Sequence, residues 1–454
     1  MRDIVISTLK SHSRMVPVDG EEGVYEVGAD GRQLVQRSTT AGQNVAVQSN
    51  RSPATTSRAV QGHIALQPTR TKTKGFAGSG TAQDPIRIET TEDLVSMDDP
   101  DIAMAGLHFI QTADIDCASI THWPSFAFKG HYDGNGKTIR NVKNNVKFNT
   151  LESIFNGTPS ASVFSALQAT SSVTHLRLEG CCLAETVDGS LVQHCHVTGA
   201  NLVGSTSGNT KLFSCEVTDG GLVGGDTKGT QITDCQVTNG GLVGGSAIKS
   251  KIARCQVIDG QSLVMNQVSM TDILDCAVVA KWSPKNCNSY QGLIAGALKI
   301  GSVIARCFVS GDFSITTSDI YFGGVVGVCE SGAINQCAVG PLNLRLKYDS
   351  QRKRIANVAS SVTLQNNASI DTNPGTDDVN GLDGKTVAAA RFNQRFFEGP
   401  LGWDFDTVWQ WDSANNRPAL RLNASTGAAA VPPSASSSPT QDLLTRQVQA
   451  NIWL

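Results

Sequence analysis

Eight side chains flank a set of evenly spaced cysteines, and several of them are types that do acid–base chemistry. His194, Ser214, Asp234 and Arg254 precede Cys195, Cys215, Cys235 and Cys255, and His196, Glu216, Gln236 and Gln256 follow them, at a spacing of 20 residues. If each cysteine faces inward from a strand, both of its neighbours face outward, and equivalent positions of successive repeats lie about 4.8 Å apart. His196 over Glu216 is then a candidate acid–base pair. Glu216 with Asp234 approaches the separation of about 5–5.5 Å found between the carboxylates of retaining glycosidases. A plainer reading competes with this one. The solvent face of a sheet has to be polar, and mixed charge on it is the ordinary solution. No nucleophile elbow, phosphate loop, zinc-binding His-Glu helix or kinase motif accompanies the pair. The plainer reading is therefore preferred, and a polysaccharide lyase or hydrolase acting from this face is kept as an alternative. The chain has 12 cysteines, none in a CxxC pair with metal-like partners, so no metal or other cofactor is expected.

The residues that position these side chains form a repeat. Each of the four cysteines is followed two positions later by valine (Val197, Val217, Val237, Val257), and then by an apolar–glycine block such as GGLVGG at Gly220–Gly225 and Gly240–Gly245. The pattern drifts but persists as DCAV at Asp275–Val278, RCFV at Arg306–Val309 and QCAV at Gln336–Val339, over repeats stretched to about 30 residues. A unit this small cannot bury its own apolar face. Stacking makes one continuous interior and lets each strand bond the next. The expected fold is all-β, a right-handed parallel β-helix, with about ten coils between Leu107 and Val339 and a length of about 50 Å. The Asx-Gly steps at Asp219, Asn239 and Asp259 are expected to supply turns at positive φ. The cysteines read as small core residues rather than catalytic thiols, because a nucleophile has no need of copies in successive repeats.

Three stretches of the chain, in this order, resemble the three modules of the GLUG-motif β-helix proteins. Gly78–Met97, Gly106–Cys117 and Phe128–Val142 (GSGTAQDPIRIETTEDLVSM, GLHFIQTADIDC, FKGHYDGNGKTIRNV) resemble their opening module, the GGLVGG blocks resemble the repeat itself, and Gly399–Leu422 resembles their closing module. The resemblance implies a right-handed parallel β-helix of bacterial surface or secreted type, adhesins among them. The residues agree with it locally. Thr90 and Asp93 are spaced to cap a short helix over the first coil. Lys385–Phe397 reads as a second helix that, with Trp403, Phe405, Trp409 and Trp411, would close the far end.

Five segments follow: 1–77, an unstructured polar stretch; 78–142, the opening module; 143–345, the repeats; 346–422, the closing module; and 423–454, a linker and tail. Between Gly31 and Gln83 there is no Asp or Glu, while seven Lys or Arg occur. Such a composition buries too little apolar surface to offset ordering, and it suits an export signal. No secretory signal peptide and no membrane-spanning run is expected. The tail places Leu444, Val448 and Ile452 on one helical face, and Ile452, Trp453 and Leu454 end the chain as a motif that could add to a PDZ-like groove. A net charge of −3 argues against nucleic acid as partner. The expectation is a monomeric, non-enzymatic recognition protein of a bacterium. It would be exported without a Sec signal and delivered to the host cytoplasm as a type III effector that binds host proteins, with a surface adhesin as the rival.

Overall fold

A coil of 20 residues has no interior until another coil lies on it, and pairing between coils is what organises this chain. In a computed structural model the described residues are 14–18, 21–28, 31–37, 72–73, 75–124, 126–143, 161–283, 290–315, 320–348 and 352–422. They fall into two compact units, Met1–Gln67 and Pro68–Leu454.

The larger unit is a parallel β-helix. One side is a twelve-stranded parallel sheet that starts at Ile115–Asp116 and ends at Lys385–Val387. Ten of its strands lie between Leu107 and Val339 or start there, as the repeat count requires. The other two sides share a twenty-stranded sheet. A coil such as Val203–Ser207, Lys211–Phe213, Glu216–Thr218 has three short strands and three corners.

Each corner turns on a residue in the left-handed region. At one corner these are His175, His194, Ser214, Asp234, Arg254, Asp275, Arg306, Gln336 and Asn366, all with φ between 49° and 56°. At another they are Gly180, Gly199, Asp219, Asn239 and Asp259. Here the Asx residues take the positive φ, as the sequence led us to expect, and the glycines after them serve close approach. A Cβ on Gly240 would lie 1.7 Å from the Gly220 carbonyl oxygen of the neighbouring coil.

The ladder cysteines are not mid-strand, as the alternation suggested. Each sits in a corner directly after the left-handed residue. That turn lets Cys195 and Val197, or Cys215 and Val217, all face inward although the chain bends between strands. The thiol file runs through Cys195, Cys215, Cys235, Cys255, Cys276, Cys307 and Cys337, and it ends on the buried Asn367. A second file of buried hydroxyls lines another corner. The Thr230 amide donates to Ser250 Oγ at 3.2 Å, the Ser250 amide to Thr271 Oγ1 at 3.0 Å, and the Thr271 amide to Ser302 Oγ at 3.3 Å. Between the files run fully buried Val, Leu and Ile columns, including Leu222, Leu242, Ile232 and Ile252.

The first coil is covered as expected. Helix Thr91–Ser96 has Thr90 as its N-cap in a reciprocal capping box with Asp93, and it buries Leu94 against the core. The far end differs from expectation. Coils continue past 345 through Ala356–Gln365 and Ala368–Ile370 to Lys385–Val387. Lys385–Phe397 is thus a strand, a 3-10 turn at Ala389–Arg391 and a helix at Gln394–Glu398, because Lys385–Val387 pairs in register with Ala368–Ile370. The aromatic cluster does not plug the end. Phe397, Trp403, Phe405 and Trp409 pack sideways on Ala277, Phe308, Ala338 and Ala368, the outward residues of the last twelve-stranded-sheet positions, and Trp403 Nε1 donates to the Gln336 carbonyl at 2.9 Å. Small outward residues in those coils leave a shelf that the aromatics fill. The end is closed by the 371–384 loop, whose Leu382 carbonyl accepts from the Ile355 amide at 2.9 Å.

The smaller unit corrects the reading of 1–77 as wholly unstructured. Arg14–Val18, Glu21–Gly28 and Gly31–Arg37 pair as an antiparallel three-stranded sheet. The acid-free stretch starts only at Gly31, and the residues before it (Val16, Val18, Val24, Tyr25, Val27) are strand formers. The tail 423–454, with Ile452, Trp453 and Leu454, lies outside the described residues.

Candidate functional site

The strands of the twelve-stranded sheet place Arg177, His196, Glu216, Gln236 and Gln256 opposite one another in successive coils. Val197, Val217, Val237 and Val257 anchor them from inside, so the outward column is held at the coil spacing. His196 Nδ1 lies 3.2 Å from Glu216 Oε2, and both side chains are nearly half exposed. Gln256 Nε2 donates to Gln236 Oε1 at 2.5 Å.

Asp234 belongs to a different column, that of the left-handed corner. Its two carboxylate oxygens accept from Arg254 Nε and Nη2, each at 2.6 Å. Asp275 and Arg306 repeat the same bidentate pair at 2.6 and 2.7 Å. The structure therefore brings His196 and Glu216 together and commits Asp234 to Arg254. Asp234 is thus engaged by a guanidinium fork, a charge-assisted pair that fixes its orientation. Asn239 Nδ2 donates to Asp219 Oδ1 at 3.0 Å at the third corner. Along this flank, outward polar groups are bonded up and down the stack.

A second group of residues went unnoticed in the sequence. Near the opening end, an open groove of about 330 Å³ runs over His108, His131, Asp133, Ser172 and Thr174, walled by Ala82 and Pro85. His108 and His131 are opposite in register, with ring centroids 4.4 Å apart. His131 Nδ1 lies 2.9 Å from Ser172 Oγ. Burial, then the neighbouring His108, lowers the His131 pKa from its ordinary value. His175 Nδ1 lies 3.2 Å from Asp133 Oδ1, and the His175 ring stacks on His194 at 5.3 Å. The available signal was compositional: all 8 histidines lie at or before His196 in a chain of 454 residues. Among the described residues no group of three or more His, Cys, Asp or Glu side chains is placed to hold a metal ion, and no helix is long and apolar enough to cross a membrane.

No family model matches the chain, and no curated protein does. Solved structures that are similar in part include the following two. A Bacteroides ovatus protein provisionally named an immunoglobulin A1 protease aligns at 16% identity and a TM-score of 0.30, over 77% of this chain and 95% of that one. A structure titled IgA1 Protease aligns at 14% identity and a TM-score of 0.27, over 63% of this chain and 21% of that one. Superpositions this loose say nothing about activity.

The thiols carry a chemical consequence. Burial pushes the Cys117 and Cys329 thiols up to about 12 and raises those of Cys235 and Cys276 in the file. In the file each Sγ lies close to backbone carbonyls. Cys215 Sγ, for example, is 3.4 Å from the Phe213 oxygen and 3.7 Å from the Val192 oxygen. Carbonyl oxygens at these distances are placed to accept from an S–H, the ordinary arrangement for a small buried core thiol.

Proposed function

We propose that this protein is a non-enzymatic recognition rod of a bacterium that works in a reducing compartment, the host cytoplasm, by binding a host protein. The observation that carries this reading is the thiol file. Its S–H groups serve carbonyls of the backbone, and oxidation to disulfides would remove those donors from a dry interior. The flank from Arg177 to Gln256 supplies an evenly spaced, rigid polar surface, and the terminal Ile452, Trp453 and Leu454 supply a motif of the kind that adds to a PDZ-like groove. The GLUG-like blocks and the acid-free stretch from Gly31 to Gln83 fit an exported bacterial protein. The contact between His196 and Glu216 favours a second reading, a carbohydrate-cleaving enzyme.

One experiment separates the two. The full chain, a chain ending at Asn423 and the His196→Ala/Glu216→Ala double variant are each tested for capture of host-cell proteins and for cleavage of polysaccharides. Partner loss on truncation places recognition in the tail, and partner loss in the double variant places it on the flank. Cleavage that the double variant abolishes, with no protein captured, overturns the recognition reading.

A further inference from the structure

The histidines of the opening coils form two stacked pairs on neighbouring columns, and the coils beyond His196 contain no histidine at all. His108 and His131 stack at 4.4 Å with an interplanar angle of 26°, and His175 and His194 stack at 5.3 Å with an angle of 14°. We propose that these two stacks make the opening end of the rod an acid-sensitive release point, which loosens as the pH falls below the histidine range while the later coils hold.

The physical basis is like-charge repulsion between rings that the coil spacing keeps together. His131 and His108 are set opposite each other by strands in register, and His175 and His194 by successive left-handed corners, so the backbone holds each pair one coil spacing apart. The groups around the first stack are Pro85 and Ala82 on the opening loop, Ile110 and Asp133 on its own strands, and Ser172 and Thr174 on the next strand. Those around the second are Asp133 on His175, Gln193, whose Nε2 is 2.8 Å from His194 Nε2, and the Phe213 ring edge. Asp84 is held by the Ser79 amide of its own loop, Asp234 by Arg254, and Glu216 by His196, which faces Arg177. Among the described residues, Asp133 is the one charged group bonded to a ring of either stack.

Burial and then the stacked partner lower the pKa of both His131 and His194. The sign follows directly. A histidine held neutral in the folded coil and free to protonate in the opened one destabilises the fold as pH falls through its unfolded value, about 6.5. Each such histidine raises the open fraction by up to about tenfold per pH unit until its folded pKa is reached. The later coils carry no such group. The device is independent of what the rod's flank binds.

The test is hydrogen exchange on the full chain at pH 7.5 and 5.5, corrected for intrinsic rates. Segments spanning His108 to His196 should open at least about tenfold more at the lower pH, while those spanning Gln231 to Asn343 stay within twofold. His131→Gln/His194→Gln keeps hydrogen-bonding groups at both positions and should abolish the difference. Equal acid response in both halves, or an unchanged response in the double variant, overturns the proposal. Should that variant fail to fold, NMR titration of the parent decides: His131 and His194 titrating at or above the free-histidine value would also overturn it.

Discussion

Asn367 stands where the coils above it have cysteine, and replacing it tests what the file does. Its Oδ1 accepts from the Cys337 amide at 2.9 Å and its Nδ2 donates to the Ile334 carbonyl at 2.7 Å, with the side chain fully buried. In earlier coils a sulfur takes the same place: the Cys215 amide lies 3.5 Å from Cys235 Sγ. Asn367→Ala strands one buried N–H and one buried C=O at about 1–3 kcal/mol each, so the loss should be about 4 kcal/mol. Asn367→Cys reinstates the acceptor and a weak donor, and should cost about 1 kcal/mol. The assay is urea unfolding, where about 4 kcal/mol at a slope of about 3 kcal/mol per molar moves the midpoint by about 1.3 M. Repeat arrays can unfold in parts, so exchange of the Cys337 amide should be followed alongside as a local readout. An alanine variant within about 0.5 kcal/mol of the parent, or a cysteine variant as damaged as the alanine one, would refute an equivalence of thiol and amide in this file.

Other consequences follow from particular contacts. Gly240→Ala, whose Cβ would meet the Gly220 oxygen at 1.7 Å, should cost about 3 kcal/mol. Gly136→Ala, at a φ of 69° with open space around it, should cost only about 1 kcal/mol, both changes being read by urea unfolding. Trp403→Ala removes a ring packed between Phe397 and Trp409 and should destabilise the side-docked 388–422 segment by about 3–5 kcal/mol, read as faster proteolysis there than in the coils. Burial alone would raise the Asp383 carboxyl, but the Arg354 and Thr376 amides, the Thr376 hydroxyl and the Lys353 ammonium outweigh it and hold its pKa below the ordinary value. Its contribution is therefore present above about pH 3.9 and is lost as the pH falls through the folded value. Exchange in the 371–384 loop should rise over that window, and Asp383→Asn should flatten the dependence.

The stacking was legible because a period is a global signal. Cysteine, valine and the GGLVGG block recur at 20 residues, and only coils in register give that recurrence a physical purpose. The capping of the first coil was legible for a local reason, since Thr90 and Asp93 carry the capping geometry between them. What escaped were features that depend on which column a residue joins. Asp234 precedes Cys235 in the chain, and alternation put it on a strand. The left-handed turn at that residue puts it instead on a corner, facing Arg254 rather than Glu216. The docking of Trp403 and Phe397 on the outside was hidden because it depends on outward Ala277, Ala338 and Ala368, which look like ordinary strand residues in sequence. His108 and His131 are 23 residues apart, at an irregular coil where the period gives no register.

Spin-label distances along the twelve-stranded sheet test the stacked coils most directly. Arg177 and Lys385 occupy corresponding exposed positions nine register steps apart, and Arg177 and Gln256 are four steps apart. At about 4.8 Å per step, labels should be separated by about 43 Å and about 19 Å, each in one narrow distribution. Broad distributions, or two distances that do not scale with the number of coils between the labels, would contradict it.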